Sequence, residues 1–327
     1  RPLVEVPFVD APLSGQWSLD DFGKALTLAL DQTFDSVVYF SVATTCSLRM
    51  GAFNNRRPDM YVVTNYPDGV FNWIDLSTTD IAGARAFYSG LFGWQANNVP
   101  VGDSGVDYTF FELDGHAVAG GGQMMPEQQA AGQPAAWTSY VKYDDIDAAV
   151  ARAGAAGGTV LMPPMEIPNS GRLAVLTDPS GAVFGIWSPK PFPGAALVNM
   201  PGTLAWNELQ TRDLPAARAF YGQVFGWTAS EMSDSYTTFA ADGRMQCGSM
   251  PIGGEMWDGV PSNWAVYFMV EDVDATAARV AELGGTVLVG PQAAGEMGRL
   301  IVVRDPQGAV FTAMQFNGPM DPPPGFN

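Results

Sequence analysis

The chain has 327 residues, of which 47% are apolar, and it carries a formal net charge of −18 at pH 7. This charge would repel the phosphates of nucleic acids and anionic lipid surfaces, so we expect neither as a partner. No apolar run approaches the roughly eighteen residues of a membrane-spanning helix. The two cysteines are too few for a disulfide framework. We therefore expect a cytoplasmic protein.

One stretch of the sequence occurs twice. Residues 71–94 read FNWIDLSTTDIAGARAFYSGLFGW, and residues 204–227 read LAWNELQTRDLPAARAFYGQVFGW. In each copy, alternating apolar and polar residues predict a half-buried strand. Asp80 or Asp213 then stands where a helix N-cap belongs, and a helix with one apolar face follows up to a glycine. The repeat predicts two copies of one domain.

The rest of each copy also matches. Residues 95–107 are predicted to form a loop, and Asp114-Gly115 to turn a hairpin between two strands. A second strand–helix unit follows, and each copy closes with two strands joined by an Asp-Pro-x-Gly turn. These patterns predict an α+β fold with five segments: an N-terminal extension of unknown type (1–69), a first domain (70–190), a linker (191–203), a second domain (204–317) and a Pro-rich tail (318–327).

The pattern D-(x)4-R-A-F-Y-(x)3-F-G-W, with the closing D-P-x-G turn, resembles the vicinal oxygen chelate superfamily. That superfamily includes glyoxalases, bleomycin-resistance proteins and extradiol dioxygenases, and the resemblance is greatest to its tandem two-domain, glyoxalase-like members. It covers residues 71–317 and implies two domains, each of paired βαβββ modules around a concave sheet that holds a ligand.

The resemblance also implies positions for metal ligands on the concave face. In this sequence three of those positions hold Trp73, Thr138 and Gly185 in the first copy, and Trp206, Ala265 and Thr312 in the second. None of these is a histidine or a carboxylate, and the chain has a single histidine, His116. We therefore expect no metal and no other cofactor, as in the ligand-sequestering bleomycin-resistance proteins. His116 itself is expected to be a solvated turn residue.

Strand alternation predicts which side chains line each cleft. On this basis the inward-facing residues are Trp73, Asp75, Ser77, Thr138, Tyr140, Lys142, Val183, Gly185 and Trp187, and in the second copy Trp206, Glu208, Gln210, Ala265, Tyr267, Met269, Val310, Thr312 and Met314. Gly185 is expected to leave open space beside it. Such a lining suits a small, partly aromatic ligand.

Asp75 and Glu208 are the candidate catalytic residues. A carboxylate among aromatic side chains has a raised pKa and can act as a general base. The alternative is a structural acid that pairs with an arginine, a lysine or a backbone donor. Arg172 and Arg299 similarly present two alternatives, a clamp for an anionic ligand or an ion pair with a nearby carboxylate.

Three functions remain open at the level of sequence. The first is metal-independent binding or sequestration of a small organic molecule by a monomer or homodimer. The second is a glyoxalase-like lyase or isomerase, or a hydroxylase, that uses Asp75 or Glu208 as a base or holds a metal in an atypical site. The third is a catalytically silent interaction protein whose clefts are packed with side chains.

Overall fold

The computed structural model describes residues 61–101, 107–233, 235–318 and 320, apart from the side chain of residue 256. Most of the predicted N-terminal extension and of the Pro-rich tail therefore lies outside the described residues. The first copy contains β1 (Phe71–Thr78), α1 (Ile81–Phe92), β2 (Gln95–Pro100), β3 (Asp107–Leu113), β4 (His116–Gln123), α2 (Pro126–Ala130), β5 (Ala136–Lys142), α3 (Ile146–Ala155), β6 (Thr159–Ile167), β7 (Gly171–Thr177) and β8 (Val183–Pro189). The second copy contains β9 (Leu204–Thr211), α4 (Leu214–Phe225), β10 (Thr228–Ser233), β11 (Tyr236–Ala241), β12 (Arg244–Pro251), a 3-10 turn (Glu255–Trp257), β13 (Asn263–Met269), α5 (Val273–Glu282), β14 (Thr286–Ala293), a second 3-10 turn (Gly295–Met297), β15 (Gly298–Arg304) and β16 (Val310–Phe316).

Each copy forms its own eight-stranded sheet. The strand order is β2-β3-β4-β1-β5-β8-β7-β6 in the first sheet and β10-β11-β12-β9-β13-β16-β15-β14 in the second. In each sheet the first strands of the two βαβββ modules, β1 and β5 or β9 and β13, pair antiparallel at the centre. The predicted α+β fold of two domains with paired modules is thus confirmed.

Local signals position the first helix of each domain. The side chain of Asp80 accepts a hydrogen bond from the backbone N–H of Gly83 at 3.0 Å, and Asp213 caps α4 in the same way. Gly93 and Gly226 end the two helices with φ of 75° and 73°, values that glycine adopts without steric cost. The predicted caps are confirmed.

The predicted loop over residues 95–107 is partly wrong, because its first six residues form β2. Every residue of β2, and of its counterpart β10, is exposed at the edge of its sheet. Neither face of such a strand is buried, so the sequence QANNVP shows no apolar alternation that would reveal it. Pairing with β3 alone defines the strand.

The two domains are joined by hydrogen-bond relays between buried side chains. The indole Nε1 of Trp137 donates to the Tyr88 hydroxyl at 3.0 Å, and that hydroxyl donates to Asp305 Oδ2 in the other domain at 2.9 Å. The second copy repeats the relay: Trp264 donates to the Tyr221 hydroxyl at 2.9 Å, and Tyr221 donates to Asp178 Oδ2 of the first domain at 3.2 Å.

Asp178 and Asp305 are the aspartates of the two Asp-Pro-x-Gly turns. Asp305 Oδ1 accepts hydrogen bonds from the backbone N–H groups of Gln307 and Ala309 at 2.9 and 2.8 Å. Asp178 Oδ1 likewise accepts a hydrogen bond from a backbone N–H group of its own turn. One carboxylate oxygen therefore holds the turn while the other binds the opposite domain. The sequence motif shared by the two copies consequently builds the domain interface.

No helix in the described part of the chain is both long and apolar enough to span a membrane.

Replacing Tyr88 with Phe should lower the free energy of unfolding by about 2 kcal/mol, because a buried carboxylate loses its tyrosine donor. Urea denaturation measures this change. Tyr143→Phe serves as the control, since the structure records no hydrogen bond from its hydroxyl to a described residue. Equal stability of Tyr88→Phe and the wild-type protein would contradict a role for this relay at the interface.

Candidate functional site

The predicted cleft residues of the first domain share the concave face of its sheet. Ile74, Leu76 and Thr78 of β1 are completely buried on the face that carries the helices, so Trp73, Asp75 and Ser77 lie on the other. Asp75 is opposite Thr138 of β5 and beside Gly120 of β4, and Tyr140 is beside Gly185 of β8.

The second domain repeats this arrangement. Glu208 of β9 is opposite Ala265 of β13 and beside Gly248 of β12, and Tyr267 is beside Thr312 of β16. We call the two concave surfaces the first cleft (around Trp73, Asp75, Tyr108 and Tyr140) and the second cleft (around Trp206, Glu208, Tyr236 and Tyr267).

A tyrosine joins the tryptophan to the acid in each cleft. Trp73 Nε1 donates to the Tyr108 hydroxyl at 3.1 Å, and Tyr108 donates to Asp75 Oδ2 at 2.7 Å. Burial and the nearby Asp75 charge raise the pKa of Tyr108 well above its usual value, so its hydroxyl remains a donor. In the second cleft Trp206 Nε1 donates to the Tyr236 hydroxyl at 3.2 Å, and Tyr236 lowers the pKa of Glu208 as Tyr108 lowers that of Asp75.

Sequence reasoning missed Tyr108 and Tyr236 as site residues. The signal was present, because the two tyrosines occupy equivalent positions on the hairpin strands β3 and β11. Two glycines make room for them: a Cβ on Gly120 would lie 1.8 Å from the Tyr108 hydroxyl, and one on Gly248 would lie 1.9 Å from that of Tyr236. These glycines and tyrosines therefore form matched pairs.

Asp75 is an acid with one oxygen left for a ligand. Burial raises its pKa to about 6, and the hydrogen bond from Tyr108 opposes this rise. Among the described residues, none donates a hydrogen bond to Asp75 Oδ1, and no arginine or lysine pairs with Asp75. The alternative of a structural acid paired with an arginine, a lysine or a backbone donor finds no such partner among the described residues, and the donor to Asp75 is a tyrosine.

Glu208 differs from Asp75 in its hydrogen bonds. Burial raises its pKa, while hydrogen bonds from Tyr267, Tyr236 and Gln210 oppose the rise. The Tyr267 hydroxyl donates to Glu208 Oε1 at 2.8 Å. In the first cleft Tyr140 occupies the place of Tyr267, and the structure records no hydrogen bond from it to Asp75. The pKa of the longer glutamate is therefore lowered by three neighbouring side chains, whereas that of the aspartate is lowered by Tyr108 alone among the described residues.

Several predicted residues have their polar groups already engaged. Lys142 Nζ lies 2.8 Å from Asp68 Oδ1 and 2.8 Å from Asp144 Oδ1. Gln210 Oε1 accepts from Asn263 Nδ2 at 3.2 Å. Trp187 donates its indole N–H to the backbone oxygen of Phe192 at 2.8 Å. These residues contribute packing to the clefts rather than free hydrogen-bonding groups.

The two candidate anion clamps are ion-paired. Arg172 forms a bidentate salt bridge with Asp147, with N–O distances of 2.6 and 3.0 Å, and Arg299 forms a bidentate salt bridge with Asp274. Each arginine also lowers the pKa of its aspartate partner through these hydrogen bonds. The ion-pair alternative therefore describes both arginines.

The expectation that Gly185 leaves open space is wrong. A Cβ at this position would lie 2.1 Å from a ring carbon of Tyr140, so the ring rests directly on the glycine backbone. Phe192, from the predicted linker, packs at one end of the same cleft, with ring centroids 4.9 Å from Trp73 and 5.4 Å from Phe110. No local pattern marked Phe192, because it follows the last strand of the domain.

The walls of the two clefts differ in exposure. Met162, Met165 and Val183 of the first domain are 41%, 44% and 39% exposed. Met162 is opposite Val175, on the face of β7 that points away from the helices. The equivalent of Met162 in the second domain is Val289, which is only 3% exposed. The first cleft is therefore open where the second is covered.

The concave residues do not fit a metal ion of the kind that the superfamily resemblance implies. No group of three or more His, Cys, Asp or Glu side chains suited to a metal occurs among the described residues. The three positions noted from the sequence lack ligands on β1, β5 and β8 or their counterparts. The strand next to β1 adds only Gly120, and its counterpart adds only Gly248.

Replacing Gly120 with Ala should displace the Tyr108 hydroxyl and break its bond to Asp75. Because that bond lowers the pKa of Asp75, the pKa should rise above about 6, which an NMR titration of the carboxyl carbon measures. Gly122→Ala is the matched control, since a Cβ there meets nothing within 4 Å. The same pKa in both variants would contradict the proposed pairing of Gly120 with Tyr108.

Comparison with known proteins supports the fold. Relatives include "Putative glyoxylase CFP32" of Mycobacterium tuberculosis, 41% identical over 77% of this chain and 97% of its own length, and "Anthracycline biosynthesis protein DnrV" of Streptomyces peucetius, 37% identical over 77% and 95%. Among solved structures, the Mn(II)-bound glyoxalase from Novosphingobium aromaticivorans has a TM-score of 0.55 at 18% identity, covering 78% of this chain and 85% of that one. The dioxygenase LapB from Pseudomonas sp. KL28 has a TM-score of 0.54 at 16% identity, covering 80% and 96%. The model of the Glyoxalase/Bleomycin resistance protein/Dioxygenase superfamily matches residues 70–186 and 203–312, and the chain belongs to this superfamily.

Proposed function

We propose that the first cleft binds a small, partly aromatic organic molecule without a metal ion. The observation that carries this proposal is the Oδ1 atom of Asp75, to which no described residue donates a hydrogen bond and which lies near Trp73, Tyr108 and Tyr140. Because Tyr108 already donates to Oδ2, Oδ1 is the acceptor available to a ligand. The favoured ligand therefore offers a hydroxyl or N–H group on an aromatic ring.

The walls of the cleft suit such a ring. The half-buried ring of Phe192, which packs edge-to-face on the buried Trp73 with centroids 4.9 Å apart, is available for aromatic contacts. Met162 and Met165 are exposed on the same sheet face, and their thioether groups contact aromatic rings favourably. An aromatic ligand would bury these apolar side chains, which gives the binding its driving force.

The names of relatives agree with this ligand class. DnrV, and DauV from Streptomyces sp. (strain C5), are both named anthracycline biosynthesis proteins. Anthracyclines are fused aromatic ring systems with phenolic hydroxyl groups. These are the two features that the first cleft would recognise.

The simplest probe of this site is 2-naphthol, a flat aromatic molecule with one hydroxyl group. Isothermal titration calorimetry should give one bound molecule per chain, and naphthalene, which lacks the hydroxyl, should bind more weakly. Asp75→Asn should weaken 2-naphthol binding about tenfold, because a hydrogen bond to a charged acceptor is lost. Glu208→Gln is the matched control and should bind as the wild-type protein does.

The affinity of the first cleft for 2-naphthol should depend on pH. The ionised Asp75 is the stronger acceptor, so affinity should fall as pH drops through about 6, the raised pKa of this carboxyl. The Asp75→Asn variant should show no such fall. Dialysis against EDTA should leave binding unchanged. Equal losses in Asp75→Asn and Glu208→Gln would contradict the assignment to the first cleft, and loss after EDTA would contradict binding without a metal.

A second candidate function is an isomerase that uses Asp75 as a general base. A pKa near 6 is close to that of an effective base at neutral pH. Asp75 Oδ1 would take a proton from a carbon beside a carbonyl, and the C–H electron pair would pass to the carbonyl oxygen. The Tyr140 hydroxyl, whose pKa is raised by burial and by Asp75, would donate to that oxygen. The first carbon must bear a hydroxyl group: Asp75 returns its proton to the former carbonyl carbon, and the hydroxyl proton passes to the former carbonyl oxygen as the first carbon becomes the new carbonyl, so no oxidant is needed.

Solvent exchange tests this second function. The hemithioacetal of methylglyoxal and glutathione should lose its C–H signal in the proton NMR spectrum in D2O faster with the wild-type protein than with Asp75→Asn. Equal rates in the two proteins would exclude Asp75 as the base and leave binding as the function.

A further inference from the structure

We propose that the second cleft is a latent site for a flat aromatic ring, occupied by the protein's own Trp257 in place of a ligand. This inference rests on the proposed function of the first cleft, because it treats the two clefts as copies of one binding surface. It assigns a binding site that the first cleft does not include. It also indicates which ring size both clefts accept.

The packing of Trp257 places it on the concave surface. Its side chain is 3% exposed and belongs to one apolar cluster with Tyr267, Val302 and Met314. Trp206 and Tyr236 pack against the same cluster, and both lie on the concave face of the second sheet. The indole therefore lies among the side chains that would contact a ligand in this cleft.

In the first domain no ring from the segment after β4 takes the place of Trp257, although Phe192 packs against Trp73 at one end of the first cleft. Gln129 on α2 holds the place that corresponds to Trp257, and its side chain is exposed. None of the residues of α2 is buried. Met162 in the wall of the first cleft is accordingly 41% exposed, whereas its counterpart Val289 is 3% exposed. The two copies thus differ in whether a ring from the segment after β4 or β12 covers this part of the wall.

A dedicated clamp holds Trp257 in position. Arg212 Nη2 donates to the backbone oxygens of Trp257 and Val260 at 2.5 and 2.9 Å, and its Nε also donates to Val260. The residue equivalent to Arg212 in the first domain is Thr79, which is too short to reach such a turn. Arg212 and Trp257 therefore occur together in the copy whose cleft is covered, and neither occurs in the copy whose cleft is open.

The occupant indicates the ligand. Indole is a flat, fused two-ring system, so each cleft should accept a fused bicyclic aromatic group. Among the described residues, Glu208 differs from Asp75 because the Tyr267 hydroxyl donates to its Oε1 at 2.8 Å and Tyr236 and Gln210 also lower the pKa of this carboxyl. Binding there should depend on ring burial and not on a ligand hydroxyl.

Calorimetry with 2-naphthol on the full chain tests the proposal. The wild-type protein should bind one molecule, and Trp257→Ala should bind two. Adding Asp75→Asn to Trp257→Ala should weaken the first site and leave the new site unchanged. A stoichiometry of one in folded Trp257→Ala, with that single site still weakened by Asp75→Asn, would overturn the latent site while the proposed function stands. If the wild-type protein binds none and Trp257→Ala binds one, the latent site stands and the proposed function fails.

Far-UV circular dichroism verifies the fold of each variant, because removal of a buried tryptophan can cost about 3–5 kcal/mol. Should Trp257→Ala fail to fold, Arg212→Ala carries the test. It keeps the indole but loses the clamp, so a second 2-naphthol site should appear with lower affinity, since Trp257 competes for it. A single site in folded Arg212→Ala would then overturn the proposal.

Discussion

The relay from a tryptophan N–H through a tyrosine hydroxyl to an aspartate of the opposite domain fixes the geometry of this molecule. A buried carboxylate without donors would be costly. Asp305 and Asp178 avoid that cost by dividing their oxygens between their own turns and a tyrosine of the other copy. The relay holds the helix-bearing face of each sheet against the other domain, where Phe87 packs with Phe311. The concave face of each sheet consequently lies on the side opposite this interface.

The first cleft contains a relay of the same three groups as the domain interface, a tryptophan N–H, a tyrosine hydroxyl and an aspartate, but this relay stays within one domain. Trp73, Tyr108 and Asp75 all come from one module, so their relay does not join domains. In the interface the aspartate accepts protein hydrogen bonds on both oxygens, whereas Asp75 accepts one on Oδ2 alone from the part of the chain that the structure describes. Because the tyrosine hydroxyl accepts from tryptophan, its own proton must point to the carboxylate. The Tyr108 hydroxyl lies 2.7 Å from Oδ2, so Oδ1 is the carboxylate oxygen that this relay does not engage.

The sequence predicted those features that depend on neighbours along the chain. The caps at Asp80 and Gly93 and the inward set on β1 follow from local spacing, and the structure contains them. Features that depend on contacts between distant segments were missed or wrongly predicted. Phe192 reaches the first cleft from beyond the last strand, the Tyr140 ring fills the space above Gly185, and β2 is defined only by its pairing with β3. Strand alternation gives the direction of a side chain but not the atoms that it meets.

Two differences between the copies both leave the second cleft with fewer groups to offer a ligand than the first. The acid of the second cleft is one methylene longer and accepts from Tyr267, whereas Asp75 receives no hydrogen bond from Tyr140. The second copy also supplies Arg212 and Trp257, which cover its walls. Each change alone would reduce what the cleft can offer a ligand: the first removes an acceptor and the second removes the apolar surface. Their joint occurrence in one domain is what would separate the proposed binding cleft from the second cleft on an otherwise repeated scaffold.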